Sequence, residues 1–185
     1  MSRAIPSLAW RFDARLHEIA VDPPAFAREV DARVDEIATE RSQPARLLAM
    51  LLEVTPLLRI AQRLDEAHKT ASAAIALAEL VEDPIAQFAG QLVLAQLMQH
   101  EARYEISTPL FDQLVARARS MAMHAESLHE VLFEAGRNLF DQGHYAQAAK
   151  LFRESQSLRR TAGREELLEV TADAIRRCTE GERSR

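Results

Sequence analysis

Residues 131–152 read VLFEAGRNLFDQGHYAQAAKLF and contain two apolar patterns, one before and one after Gly143. Apolar or small residues recur at spacings of three and four, before the glycine at Leu132, Ala135, Gly136, Leu139 and Phe140 and after it at Ala148, Leu151 and Phe152. Because an α-helix has 3.6 residues per turn, this spacing predicts one buried face on each of two helices. Gly143 predicts the tight turn between them, since glycine adopts a left-handed conformation at low cost.

The same arrangement occurs 41 residues upstream, where the matching places hold Ala95, Ala102, Tyr104, Ser107 and Phe111. A weaker copy lies about 40 residues further upstream, with Thr55, Leu64, Ala67 and Ala71 at the matching places. A small residue, a turn residue, a tyrosine, a small residue and an aromatic at these intervals resemble the tetratricopeptide repeat. The period exceeds the family's usual 34 residues or so, as in the longer repeats of bacterial regulators.

The resemblance implies an all-α fold, a right-handed solenoid of helix pairs with about three such repeats and capping helices. It places the repeats in residues 44–162, an N-terminal capping helix pair in residues 1–43, and a C-terminal capping helix with a polar tail in residues 163–185. Apolar spacing and helix punctuation predict helices near 7–20, 24–40, 44–61, 63–81, 84–101, 106–122, 127–141, 145–160 and 164–179. An ordinary antiparallel helical bundle with the same spacing stays an alternative.

Composition agrees with an all-α chain. Of the 185 residues, 48% are apolar and only 5 are glycine, which favours a helical core over disorder. A net charge of −5 argues against a protein that coats nucleic acid. Residues 1–10 contain no long apolar stretch, and the apolar run 47–52 is too short to span a bilayer. We therefore expect a cytoplasmic protein with neither a signal peptide nor a membrane partner.

No catalytic or cofactor motif accompanies this pattern. The chain has no HExxH sequence, no glycine-rich phosphate loop and no Gly-x-Ser-x-Gly. Glu126 and His129 form a single Glu-x-x-His, whereas a di-metal helical bundle needs two copies. The one cysteine, Cys178, favours a structural role near the end of a helix over a reactive thiol. We expect no enzymatic activity, no cofactor and no metal.

In tetratricopeptide repeats the first helix of each pair lines a concave groove that binds another protein or a peptide. The resemblance carries this role to nine residues of this chain, which are Leu52, Arg59, Leu92, Gln96, Gln99, His100, Phe133, Arg137 and Asp141. The carboxylate-binding form of the groove, which uses lysines, asparagines and an arginine, does not fit. Glu130 and Glu134 stand at two of the matching positions and would repel a C-terminal carboxylate.

The most direct functional hypothesis is therefore a non-enzymatic scaffold or adaptor that binds a protein or peptide in this groove. The alternative is a helical module of a bacterial regulatory system that responds to a ligand or peptide. Dimerisation through an apolar solenoid end is also open. Two local expectations follow. Gly136 and Ala148 face each other where paired helices touch, and Arg137 contacts the partner unless it pairs with Asp141, four residues on.

Overall fold

The computed structural model describes residues 6–40 and 43–184. Residues 1–5, part of the segment predicted to lack a signal sequence, lie outside the described residues. The described part contains two short strands and eight α-helices, and the all-α class is confirmed. The strands are β1 (Trp10–Phe12) and β2 (Glu18–Ala20), and the helices are α1 (Pro23–Thr39), α2 (Pro44–Ile60), α3 (Leu64–Leu80), α4 (Pro84–His100), α5 (Tyr104–Ser120), α6 (Leu128–Asp141), α7 (Tyr145–Thr161) and α8 (Leu168–Arg183).

The described residues divide into two compact units, one up to His100 and one from Glu101. In the first unit, α1 packs on α2, α2 on α3, and α3 on α4, while α2 also contacts α4 directly. In the second unit, α5 packs on α6, α6 on α7, and α7 on α8. Within each unit, consecutive helices therefore pack against each other, which is the arrangement that helical hairpins produce.

The helices follow a regular period along the chain. α2, α3, α4 and α5 begin at residues 44, 64, 84 and 104, and each is 17 residues long. The second helix of each aligned pair begins at the residue that the sequence comparison matched, which is Leu64, Tyr104 or Tyr145. The aligned small and aromatic positions are buried in all three copies, at Thr55, Ala67, Ala71, Ala95, Ser107, Phe111, Gly136, Ala148 and Phe152.

The turns that end these helices share one backbone geometry. At the first, the N–H of Gln62 donates to the carbonyl of Arg59 and the N–H of Arg63 to that of Leu58. The same pair of bonds closes the helices before Glu82, Gly143 and Gly163. All four turn residues have positive φ, as does Ala102. This is the Schellman motif, whose left-handed residue favours glycine.

Glycine occupies only two of these left-handed positions, so the other turns carry avoidable strain. We expect Glu82→Gly to raise the free energy of unfolding by about 0.5–1 kcal/mol, because Glu82 is exposed and has a φ of 54°. Gly163→Ala is the matched opposite. A Cβ at Gly163 meets nothing within 4 Å, so its expected cost of about 1 kcal/mol is a backbone effect alone. Urea unfolding followed by circular dichroism measures both changes, and shifts of the same sign would contradict the prediction.

The helix predicted over residues 7–20 is wrong. This segment forms a hairpin in which β1 and β2 pair antiparallel, with Trp10 opposite Ala20 and Phe12 opposite Glu18. Each strand has only three residues, which is too few for a period of two to be read from the sequence. One helix, α1, therefore stands where a capping helix pair was predicted. Among the described residues no helix is both long and apolar enough to cross a membrane.

Candidate functional site

Six of the nine predicted groove residues lie on two helices of the first unit that contact each other. Leu52 and Arg59 are on α2, and the four from α4 are Leu92, Gln96, Gln99 and His100. Arg59, Leu92 and Gln99 are buried, and the other three are half-buried. The structure thus brings these residues onto neighbouring helices, and it leaves none of them fully exposed.

Arg59 is held by the hairpin. Its Nη1 donates to Oε2 of Glu18 at 3.0 Å and its Nη2 donates to Oε1 at 3.2 Å, so the guanidinium grips both carboxylate oxygens. Arg59 is 3% exposed and Glu18 is 8% exposed. A forked pair shielded from water is a strong and directional contact. It ties β2 to α2 at a residue that the sequence assigned to partner binding.

His100 meets the same segment of the hairpin. Its ring lies 5.3 Å from that of His17, centroid to centroid, at an angle of 37°. Its Nε2 is also 3.1 Å from the side-chain nitrogen of Gln62 and 3.3 Å from its side-chain oxygen, so the tautomer decides which atom donates. Two consecutive hairpin residues therefore contact α2 and α4, the two helices that carry the predicted groove.

Local hydrogen bonds fix the backbone of the hairpin loop that presents His17 and Glu18 to the helices. Oδ1 of Asp13 accepts hydrogen bonds from the N–H groups of Arg15 and His17, at 2.8 and 2.9 Å. Leu16 has a φ of 63° and is fully buried. A left-handed conformation costs a residue other than glycine about 1–2 kcal/mol. Burial of the leucine side chain offsets that strain, since it removes a large apolar surface from water.

In the second unit the three predicted groove residues lie on α6. Arg137 is 2% exposed, and its Nη1 donates to both carboxylate oxygens of Glu134, at 2.9 and 3.2 Å. The alternative partner proposed from sequence was Asp141, which is half-buried one turn further along the same helix. Glu134 satisfies much of the charge on Arg137, so this side chain is engaged inside the protein.

Phe133 is buried between two other side chains. Its ring centroid is 5.3 Å from that of Phe152, and the guanidinium carbon of Arg159 lies 4.5 Å above its ring. Nη1 of Arg159 also donates to the hydroxyl of Thr171 at 2.5 Å. Burial lowers the pKa of Arg159, and the negative charge of Glu134 opposes this change. Arg159 therefore joins α6, α7 and α8, a role that its place on a polar-looking helix did not reveal.

A second buried network links α5 to α6. The hydroxyl of Ser107 donates to Oδ1 of Asn138 at 2.5 Å, and Nδ2 of Asn138 donates to the hydroxyl of Thr108 at 2.8 Å. Nε2 of Gln142 donates to the same hydroxyl at 3.1 Å. In the sequence Ser107 was identified only as a small packing residue. The structure shows that its buried hydroxyl has a hydrogen-bond partner, the side chain of Asn138.

The side chains that could serve as metal ligands, nucleophiles or bases are scattered over the described residues. Among the residues that the structure describes, no three or more of His, Cys, Asp and Glu gather as metal ligands. Cys178 is buried, and this burial raises the pKa of its thiol to about 11, so the nucleophilic thiolate is rare at neutral pH. Burial likewise lowers the pKa of His129.

A depression of about 320 Å³ lies at the turn that precedes α7, apart from the nine predicted residues. Glu182 contributes a carboxylate to its wall, and the rest of the lining is Gly143, His144, Tyr145, Ala146 and Gln147. An acid beside the start of a helix repels the anions that such a helix end attracts. The depression therefore does not form an anion-binding site.

Comparison with family models, with curated proteins and with solved structures gives no match to this chain. The resemblance to the tetratricopeptide repeat therefore rests on the aligned residues themselves and on the regular helix period.

Proposed function

We propose that this protein is a non-enzymatic scaffold that binds a protein or peptide segment on the face formed by α2 and α4. One observation carries the proposal. A short segment of the chain itself lies on this face and contacts two of the predicted groove residues, Arg59 and His100. A face that holds a short segment of its own chain has the chemistry to hold one from a partner.

The chemistry of the face is suited to a short peptide segment. The guanidinium of Arg59 offers two parallel N–H donors to one carboxylate, and the imidazole of His100 offers a flat surface to a neighbouring side chain. Leu52 and Gln96, both half-buried on the same two helices, extend the face with apolar and amide groups. In the second unit Arg137 is paired with Glu134 of its own helix, whereas the carboxylate partner of Arg59 lies on the hairpin. This difference favours the α2–α4 face as the binding surface.

Site-specific photocrosslinking tests this proposal. A photoreactive amino acid at Gln96, on α4, is expected to capture a discrete partner in lysate from the native cell, and excess unlabelled protein should compete with the capture. The matched control is Ser72, an exposed residue on α3 in the same unit. The scaffold proposal predicts a specific product from position 96 and none from position 72. Equal capture from both positions, or capture from position 72 alone, would sink it.

A further inference from the structure

We infer that residues 16–18, Leu-His-Glu, are an internal ligand of the α2–α4 face, and that this face takes partner segments with a leucine two residues before an acidic residue. The inference rests on the proposed function and gives it a partner chemistry. The hairpin and an external segment would therefore compete for the guanidinium of Arg59 and the imidazole of His100.

The seated segment defines this chemistry position by position. Glu18 places both carboxylate oxygens in the fork of Arg59, and His17 lays its ring against His100. Leu16 has no exposed surface. An apolar side chain, a flat side chain and a carboxylate thus follow one another in three residues. A partner segment with the same order can present its carboxylate to Arg59 and its flat side chain to His100, and it can bury its apolar side chain as Leu16 is buried.

The hairpin is built to be exchangeable. It has two strands of three residues each, and a two-stranded hairpin is marginal in water unless it packs on something else. Leu16 adopts a left-handed backbone that favours glycine, so the docked loop is strained. Docking on α2 and α4 therefore supplies much of what keeps the hairpin formed, and loss of that docking releases it.

The helix that follows the hairpin has start signals of its own. Oδ1 of Asp22 accepts the N–H of Ala25 at 3.0 Å and caps α1, and Pro23 and Pro24 occupy the first helical positions. These local features set the start of α1 independently of the strands. Val21 and Asp22 form the short connection between the two elements, so release of the hairpin requires a change of backbone conformation only there and loss of the hydrogen bond from the N–H of Val21 to the carbonyl of Ala9.

The test uses the full chain and a labelled peptide with the sequence of residues 9–21. Glu18→Arg in the full chain places two guanidinium groups together and should expel the hairpin, leaving Arg59 for the peptide. The apparent affinity of the wild type is its intrinsic affinity multiplied by the fraction of time that the face is free, so we expect the peptide to bind this variant about tenfold or more tightly than the wild type. Fluorescence anisotropy measures both affinities.

Two further variants make the result specific. The same peptide with glutamine in place of Glu18 should bind the Glu18→Arg chain about tenfold more weakly, because it lacks the charge that the fork of Arg59 binds. Trp10, the one tryptophan of the chain, lies in β1 with its ring 5.1 Å from that of Phe12. Release of the hairpin in the variant should shift its emission to longer wavelength. If Glu18→Arg does not fold, Glu18→Gln serves as the milder variant.

Three outcomes overturn the inference. They are unchanged Trp10 emission in the folded variant, equal peptide affinity for variant and wild type, and equal affinity for the two peptides. None of these affects the crosslinking result at position 96, so failure of the internal-ligand inference is distinguishable from failure of the scaffold proposal.

Discussion

Replacing Arg137 by methionine is expected to lower the free energy of unfolding by about 3–5 kcal/mol. Arg137 is 2% exposed and Glu134 is 7% exposed, and the guanidinium donates to both oxygens of this carboxylate. Methionine fills much of the same volume but leaves Glu134 as a buried negative charge without this partner. The sequence analysis placed Arg137 in a partner-binding groove, where an exposed arginine would tolerate truncation. Because Arg137 is buried instead, we expect a large loss of stability. Urea unfolding followed by circular dichroism measures the loss.

A second variant and a surface pair separate charge from volume. The double variant Arg137→Met/Glu134→Leu removes both charges and should recover most of the loss, because apolar pairs often replace buried ion pairs at little cost. Arg119 also grips both oxygens of one carboxylate, that of Glu154, but these side chains are 50% and 41% exposed. Arg119→Met should therefore cost less than about 1 kcal/mol. Similar losses for Arg119→Met and Arg137→Met would show that Arg137 is not buried with its partner.

The helices could be predicted from apolar periodicity, because the same arrangement of small and aromatic residues recurs in successive helix pairs. Small residues at Gly136 and Ala148 and an aromatic at Phe152 mark a close approach of two helices, and such spacing is visible in a single sequence. Positive φ at Glu82 could not be predicted in the same way, since glutamate rarely ends a helix in the left-handed region. Only the regular length and spacing of the helices indicate a turn at Glu82.

The candidate site was predicted less well, because it depends on contacts distant in sequence. Arg59 and His100 were identified as groove residues from their places on first helices, and the structure brings both onto one face. Their contacts with Glu18 and His17 were missed, since those residues fell in a segment interpreted as a helix. A three-residue strand leaves no periodic pattern, and ion pairing across 41 residues leaves none either.

Phe152→Ala is expected to lower the free energy of unfolding by about 3–5 kcal/mol. The Phe152 ring has no exposed surface and lies 5.3 Å from the ring of Phe133. A Cβ built on Gly136 would be 2.7 Å from Cε1 of Phe152, so the ring rests directly on the backbone of α6. Truncation therefore leaves a cavity bounded by backbone, which cannot close by a change of rotamer at Gly136. Chemical denaturation measures the loss, and Ile85→Ala, at a side chain that is 58% exposed, should change stability by less than about 0.5 kcal/mol.

The contact between the ring and the glycine can be tested by a double-mutant cycle. Gly136→Ala alone improves helix propensity by about 1 kcal/mol, yet it forces a methyl group into the ring of Phe152. Overpacking typically costs about 1–3 kcal/mol, so we expect a net loss in the wild-type background. Phe152→Leu makes room for that methyl group, and in this background Gly136→Ala should be neutral or stabilising. A coupling energy of about 0.5–3 kcal/mol would then separate the double variant from the sum of the singles. Strict additivity would show that Phe152 does not lie on Gly136, and the register in which α7 packs on α6 would be wrong.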